Sequence, residues 1–246
     1  MGSFLLIPGW IGLALGNPLL SASDIAWPIV AVNFVLAGVA GALVALVYSW
    51  FTTGAGNIFM TVRGLVSGLV ALSAAAPFVP AWSALVIGGL AGLLLPLSSY
   101  VLTHVLRLDD QSLIVPMHGV SAAWGLAAAA LFADGRFGVG WNGVGANAYL
   151  GISGQGVTGY LAAVGAMPDF PQQLYVQLIG LLAIFIFAFV VSWVVFKCLA
   201  KLTVAWEGLR VTPTSEPGWP STPASEPAVI DAAQSVAEPP ESAADR

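Results

Sequence analysis

The sequence has 246 residues, of which 58% are apolar and only 8% are charged. Soluble domains carry about 25% charged residues, so this composition excludes a soluble globular protein and predicts several membrane-spanning segments. The net charge of -5 argues against the basic surface of a nucleic-acid-binding protein. The single cysteine, Cys198, excludes an internal disulfide framework.

The charges are unevenly distributed along the chain. Residues 1–210 contain six basic and six acidic residues, whereas residues 211–246 contain six acidic residues, seven prolines and one arginine. A segment of the second kind cannot bury a core. We therefore predict a transmembrane domain over residues 1–210 and a disordered Pro- and acid-rich cytoplasmic tail over residues 211–246. The tail is either passive or a Pro-rich docking segment, and a passive tail is favoured.

Six apolar segments follow one another in the first 210 residues. They cover residues 4–16, 26–51, 59–77, 81–106, 109–133 and 172–196. At 1.5 Å per residue, all but the first come close to or exceed the roughly 30 Å hydrocarbon core of a bilayer. The first is either a re-entrant piece or a spanning helix whose beginning is missing. The sequence predicts an all-α polytopic transmembrane helical bundle of five or six spans, with a long loop over residues 134–170.

The basic residues predict how the spans are oriented. Arg63, Arg107, Lys197 and Lys201 fall near ends on one side of the membrane, and Arg136 falls on the other. Cytoplasmic loops are enriched in Lys and Arg, so we predict a multi-pass cell-membrane protein with a cytoplasmic C-terminus. Three pairs of glycines four residues apart predict close helix packing. They are Gly12/Gly16, Gly64/Gly68 and Gly88/Gly92.

His118 is the ionisable residue inside the apolar run that follows Asp109 and Asp110. An ionisable group at membrane depth is costly and marks a functional site by default. A neutral imidazole keeps one donor and one acceptor nitrogen, which suits it to hold a small neutral molecule or to relay a proton. The alternative is a histidine that bonds a neighbouring helix carbonyl for structure only. His104, at a membrane edge, is expected to be solvated or structural.

Regular helical spacing predicts the surroundings of His118. One small, weakly polar face would contain Gln111, Ile114, His118, Ser121, Ala122 and Gly125. A bulkier face would contain Leu113, Met117, Val120 and Trp124. Pro116 and Gly119 flank the histidine, so the helix is expected to bend or open there. The two acids are expected at the helix N-terminus, where they favour its dipole. The sequence has no HExxH motif, Walker loop or Cys/His cluster, so no enzymatic activity, cofactor or metal site is predicted.

Several stretches of the sequence resemble the motifs of one known family. The run LRLDDQSLIVPMHGVSAAWGLAAAALFADG is similar to the family signature, in which an acidic DD start leads to HGVxGxWG. GWIGLALG resembles the family's GWFGFNAGS helix, and MTVRGLVSGLVALSA resembles its NGxLAGLVAITA helix. The segment from QLYVQLIGLLAIF to GLRV resembles its last helix. These motifs are those of the ammonium transporters of the Amt/Mep/Rh group, and the resemblance covers residues 2–210.

The resemblance implies a specific architecture. Family members have eleven spans, built as two inverted five-helix repeats plus a last helix, and they assemble as trimers. Inverted repeats place the substrate path at their interface. This chain matches only the second repeat and the last helix. We therefore expect residues 4–16 to be the end of the sixth family helix and the first five helices to be absent.

The resemblance also implies residue roles. His118 corresponds to the second of two pore histidines and would be the conduction residue. Leu13, where the family usually has Phe, and Ile114 are candidate pore-lining residues. Asn17, where the family has Ser, is the outer recruitment-site candidate. Two further departures are Leu113, where an acid is usual, and Arg63, where Asn is usual.

We therefore predict ammonium or ammonia transport by this chain as the C-terminal half of a channel-like transporter that needs the first five helices. Its expected partners are ammonium, the lipid bilayer, and either further copies in a homotrimer or a separately encoded N-terminal half. The alternative is a non-conducting membrane interaction or regulatory module. A third hypothesis is that the chain is a truncated relic of a transporter.

Overall fold

The computed structural model describes residues 2–16, 27–108 and 110–204 and confirms an all-α polytopic bundle. Six α-helices lie in these residues: α1 (Gly2–Leu15), α2 (Trp27–Thr53), α3 (Ile58–Leu72), α4 (Ala81–Tyr100), α5 (Ser121–Phe132) and α6 (Gln172–Val204). Two π-helical segments, Val101–Val105 and Val115–Val120, extend α4 and precede α5. The boundary at residue 210 and the predicted tail lie outside the described residues.

Four helical segments of the described chain are long and apolar enough to cross a membrane. They are Pro28–Thr53, Ala81–Val105, Val115–Phe132 and Gln172–Leu202. Leu5–Leu15 and Ile58–Leu72 are apolar but shorter. The structure thus matches the predicted order of apolar segments, including the short first one.

The chain divides into two compact units, Met1–Phe189 and Val190–Arg246. The first unit contains helices α1 to α5 and the first part of α6. The described part of the second unit is the remainder of α6, over residues 190–204. In the first unit, residues 182–189 of α6 are exposed, and they consist of six large apolar residues and two alanines, as expected for a helix whose surroundings are lipid or another protein.

The core of the first unit lies where α2, α3 and α4 cross. A Cβ on Gly64 would collide with the Cβ of Ala45 and the carbonyl oxygen of Gly41, and a Cβ on Gly88 would collide with the backbone of Ala37. These helices therefore approach backbone to backbone, which only small residues permit. The packing predicted for Gly64/Gly68 and Gly88/Gly92 is confirmed. No other helix of the described chain approaches Gly12 or Gly16, so close packing of that pair stays a prediction.

Helix α1 packs against this core through one face. Ile7, Trp10, Ile11 and Ala14 contact the core, and Nε1 of Trp10 donates a hydrogen bond to Oγ of Ser73 at 2.8 Å. These contacts leave the other face of α1 uncovered in the described part of the chain.

Helix α3 ends earlier than the sequence predicts. The predicted segment ran to residue 77, but the helix ends at Leu72 and the chain then turns through buried residues to Pro80. Pro77 explains the early end, because it has no N–H to donate and its ring would clash with the carbonyl of Ser73 in a continuous helix. Nδ2 of Asn33, on α2, donates to the carbonyl oxygens of Ala76 at 2.9 Å and Val79 at 2.8 Å. A buried amide thus satisfies carbonyls that a continuous helix would have satisfied itself.

The loop over residues 134–170 is held together by its own contacts. It contains a small antiparallel hairpin, β1 (Ala148–Tyr149) and β2 (Ile152–Ser153). Oη of Tyr149 donates to Oδ2 of Asp169 at 2.5 Å. Burial, and then the hydrogen bond and charge of Asp169, raise the pKa of Tyr149 above its usual range. This pair ties the hairpin to the segment that leads into α6.

Candidate functional site

The His118 segment begins at a turn capped by Asp110. The N–H of Leu113 donates to the carbonyl oxygen of Asp110 at 3.0 Å. The Asp110 carboxylate accepts the N–H of Ile114 on Oδ1 at 3.1 Å and the N–H of Val115 on Oδ2 at 2.8 Å. A carboxylate at this place satisfies N–H groups that have no partner within the helix and favours the helix dipole. The predicted role is thus confirmed for Asp110, while Asp109 lies outside the described residues.

The six residues around the histidine form a π-helix rather than an α-helix. Segment Val115–Val120 ends with the N–H of Ser121 directed at the carbonyl oxygens of His118 and Pro116. Pro116 lies in the first turn of this segment, where a backbone N–H would have no partner within the helix. π-Helical turns occur frequently at functional sites. The opening that Pro116 and Gly119 predict is confirmed.

The imidazole of His118 is exposed on the surface of the described chain and has no hydrogen-bond partner there. Ile114, one turn earlier, is 56% exposed. The structural alternative, in which the imidazole bonds a carbonyl of a neighbouring helix, is therefore not realised among the described residues. His118 instead faces away from the core that holds the rest of its helix.

The predicted shared face is wrong for Ser121 and Gly125. Both are buried, whereas Gln111, Ile114 and His118 are exposed. A Cβ on Gly125 would collide with the backbone of Ala71, so this side of α5 lies directly against α3. The prediction assumed 3.6 residues per turn throughout, and the wider π-helical turn rotates the residues before Ser121 relative to those after it.

Bulky side chains anchor the opposite side of the segment. Met117 and Trp124 pack against the core, and Nε1 of Trp124 donates to the carbonyl oxygen of Ile87 at 3.0 Å. The hydroxyl of Ser121 donates to the carbonyl oxygen of Pro116 at 3.2 Å. The predicted bulkier face therefore packs inward at Met117 and Trp124, which holds the exposed imidazole on a fixed support.

The other predicted site residues are not assembled around His118. Leu13 lies on the uncovered face of α1 and is 72% exposed, with no contact to His118 or Ile114 among the described residues. Asn17 lies outside the described residues. His104 is exposed at the end of α4, where it stacks on Tyr100 with ring centroids 4.4 Å apart. A structural role for His104 agrees with this contact.

Apolar cavities lie beside the His118 segment. One of about 450 Å³ separates it from α6 and is lined by Val115, Gly119, Val120, Ala123, Leu178, Leu181, Leu182 and Phe185. Another of about 560 Å³ lies towards α4, with Val115 and Val120 in its wall. His118 is not among the residues that line either of these two cavities.

Two contacts at this site had no specific signal in the sequence. Asp110 was recognisable as an acid before a helix, but not as the acceptor of two particular N–H groups. Arg63 stood out only as a departure from a motif. Its Nη2 donates to the carbonyl oxygen of Gln111 at 3.2 Å, which links α3 to the turn before His118 across 48 positions of the chain.

Comparison with known proteins identifies the family. The sequence model of the Ammonium Transporter Family matches residues 1–224. This chain belongs to the ammonium transporter family. The chain is a multi-pass membrane protein of that family, and the recognition made from the DD and HGV motifs is confirmed.

Individual family members agree with this assignment. The chain is 34% identical over 216 residues to ammonium transporter Amt2 of Archaeoglobus fulgidus, an alignment covering 88% of this chain and 42% of that protein. Among solved structures it is similar to a sensor Amt protein (25% identity, TM-score 0.62), with 81% of this chain and 43% of the other covered. Candida albicans Mep2 shares the fold (24% identity, TM-score 0.67), with 83% and 41% covered. The chain thus spans under half the length of these family members.

Proposed function

We propose that this chain carries one wall of a transmembrane pathway for ammonium or ammonia, in which His118 contacts the nitrogen. The observation that carries the proposal is an exposed imidazole without a partner in a membrane-length apolar helix. A polar group left in hydrocarbon without a hydrogen bond costs several kcal/mol. The His118 surface therefore requires a second protein wall, an aqueous path, or both.

The chemistry of the imidazole fits a small nitrogen compound. A neutral histidine offers one donor and one acceptor, and ammonia likewise both donates and accepts. Apolar surroundings disfavour a fixed positive charge, so passage as neutral ammonia, with the proton handled separately, is the mechanism that this wall supports best. Ile114, exposed one turn away, would line the same path.

The second wall comes from outside the described residues in this proposal. The chain covers 42% of the Archaeoglobus fulgidus transporter, which agrees with a half-pathway completed by a segment equivalent to the first five family helices. That segment would belong to a separately encoded partner; in a homotrimer, further copies of this chain would instead face the His118 surface. Leu13, on the uncovered face of α1, would line the pathway from the other side, and Asn17 would contribute to recruitment at its outer end.

The orientation of the wall is part of the proposal. Arg63 lies in the second turn of α3, and Arg107 follows the π-helical end of α4, so both mark the same membrane edge. The excess of basic residues there supports a cytoplasmic location of that edge and of the C-terminus. The loop over residues 134–170 would then face the outside of a cell membrane.

The test is uptake of radiolabelled methylammonium by cells that lack other ammonium transporters. The chain is expressed alone or with the N-terminal half of Archaeoglobus fulgidus Amt2. We expect uptake only in the co-expressing cells, with loss of uptake in His118→Ala and little change in the matched control His104→Ala. Uptake by the chain alone that depends on His118 would refute the need for a partner. Co-expression uptake that survives His118→Ala would refute the role of the histidine.

A second candidate function is a non-conducting interaction module within a complete transporter assembly. The exposed apolar residues of α6 over 182–189 favour it, because they offer contact surface without requiring a pathway. Co-purification with a complete transporter, without any His118-dependent uptake, would support this function over conduction.

A further inference from the structure

The contact between Arg63 and Gln111 connects a rigid support to the start of the His118 segment. Arg63 precedes Gly64, where α3 meets the backbone of α2 so closely that no side chain fits. The arginine is thus carried by one of the most tightly packed parts of the chain. Its Nη2 reaches the carbonyl oxygen of Gln111 at 3.2 Å, which is a charge-assisted hydrogen bond near the membrane edge.

The other end of this contact is a strained turn. Leu113 has a φ of 55°, in the left-handed region, which is uncommon for a residue with a branched apolar side chain. Such a conformation persists only where surrounding contacts over-determine it. Here the turn hydrogen bond from Leu113 to Asp110, the two N–H groups capped by Asp110, and the Arg63 contact act together.

The strained turn is hydrogen-bonded directly to the segment that carries His118. The carbonyl oxygen of Leu113 accepts the N–H of Met117 at 3.0 Å, so the left-handed residue is bonded directly to the π-helical turn. If the turn relaxed to an ordinary helical conformation, the residues up to Val120 would rotate relative to α5, which the Trp124–Ile87 bond and Gly125 hold in place. His118 and Ile114 would then turn away from their exposed positions together.

We propose that Arg63 is a positioning residue for His118: through the carbonyl of Gln111 it holds the strained Asp110–Leu113 turn and so fixes the π-helical register that exposes the imidazole. Its importance for transport rests on the proposed function. The position of the His118 imidazole, however, can be measured without a transport assay.

The experiment uses the full chain in lipid bilayers with isotope-labelled histidine. The chain has 2 histidines, so a His104→Asn background leaves His118 as the single imidazole signal in the nuclear magnetic resonance spectrum. We expect one sharp ring signal in this background and a shifted or split signal in Arg63→Ala. Arg63→Lys, which keeps a charged donor, should restore the original signal at least in part. The control is Arg107→Ala, at the same membrane edge, which should leave the signal unchanged.

The spectra of the variants decide whether Arg63 positions His118. An unchanged His118 signal in Arg63→Ala, or an equal shift in Arg107→Ala, would overturn the proposal. Helix content from circular dichroism identifies a variant that fails to fold. In that case Arg63→Lys, which keeps a donor, is compared with Arg63→Met, which has none: a signal shift in Arg63→Met but not in Arg63→Lys supports the proposal, and equal signals overturn it.

Transport adds an independent measurement in the co-expressing cells. Loss of the register should lower the maximal methylammonium uptake of Arg63→Ala by about tenfold, because fewer molecules hold a competent site. The concentration for half-maximal uptake should stay within about twofold. If His118→Ala leaves uptake intact while Arg63→Ala still moves the ring signal, the proposed function fails and the positioning role stands.

Discussion

Nε1 of Trp124 donates a hydrogen bond to the carbonyl oxygen of Ile87, 3.0 Å away. This bond fastens the helix that carries His118 to α4, and it lies on the side opposite the exposed imidazole. Removing the donor while keeping the aromatic ring, as in Trp124→Phe, should lower the free energy of unfolding by about 1 kcal/mol. Trp124→Ala, which also removes the ring, should cost about 3–5 kcal/mol.

Unfolding in mixed micelles with increasing dodecyl sulfate measures these differences. Trp50→Phe is the matched control, since Trp50 is exposed near the end of α2, and it should change stability by less than about 0.5 kcal/mol. Equal effects of Trp124→Phe and Trp50→Phe would show that the hydrogen bond contributes nothing measurable.

Asn33 is expected to be essential for the stability of the turn that follows the end of α3. Asn33→Asp keeps the size of the side chain but, as a carboxylate, cannot donate to the carbonyls of Ala76 and Val79. A charge would also be buried at a fully enclosed position. We expect a loss of more than about 3 kcal/mol in the same unfolding measurement, and a milder loss for Asn33→Ser. Wild-type stability in Asn33→Asp would contradict the assigned hydrogen bonds.

The helix crossing at Gly64 predicts strong sensitivity to added volume. Gly64→Ala places a methyl group against Ala45 and Gly41, where backbones must separate to admit it. We expect destabilisation of about 2–3 kcal/mol or loss of the monodisperse folded protein on size-exclusion chromatography. Gly12→Ala is the control, because a Cβ there meets open space, and it should be neutral to within about 0.5 kcal/mol. A tolerated Gly64→Ala would mean that the helices cross less closely.

The Tyr149–Asp169 pair predicts an alkaline dependence of stability. The folded chain favours the neutral phenol, so its pKa is raised above the value of about 10 in the unfolded chain. The contribution of the pair is therefore complete below about pH 10 and declines as pH rises above it, because the unfolded chain then releases its proton first.

Comparing the unfolding of wild type and Tyr149→Phe at several pH values isolates this contribution. The stability difference, about 1 kcal/mol at neutral pH, should shrink above about pH 10. In an ultraviolet titration, one of the 5 tyrosines should ionise later than the others, and this late component should be missing in the variant. A difference that stays constant to high pH would rule out the raised pKa.

Particular residues show how much of the site could be predicted from the sequence. The Pro116–His118–Gly119 grouping was enough to predict a histidine in a membrane helix that opens around it. The direction of its side chain was not predictable, since Ser121 and Gly125 were assigned to the same face and are buried. The positions of Leu13 and Ile114 were correctly placed on helices, but a common site with His118 is not formed by the described residues.

The sequence by itself determined the membrane class, the order of apolar segments, the glycine crossings of α3 and α4, and the family. Each of these follows from composition, segment length or a local motif. Tertiary structure alone decided where α3 ends, which N–H groups Asp110 caps, that Arg63 reaches Gln111, and how His118 is turned. These features depend on contacts between residues far apart in the chain, such as Asn33 with Val79 and Gly125 with Ala71. Regular helical spacing cannot predict them where a turn departs from 3.6 residues.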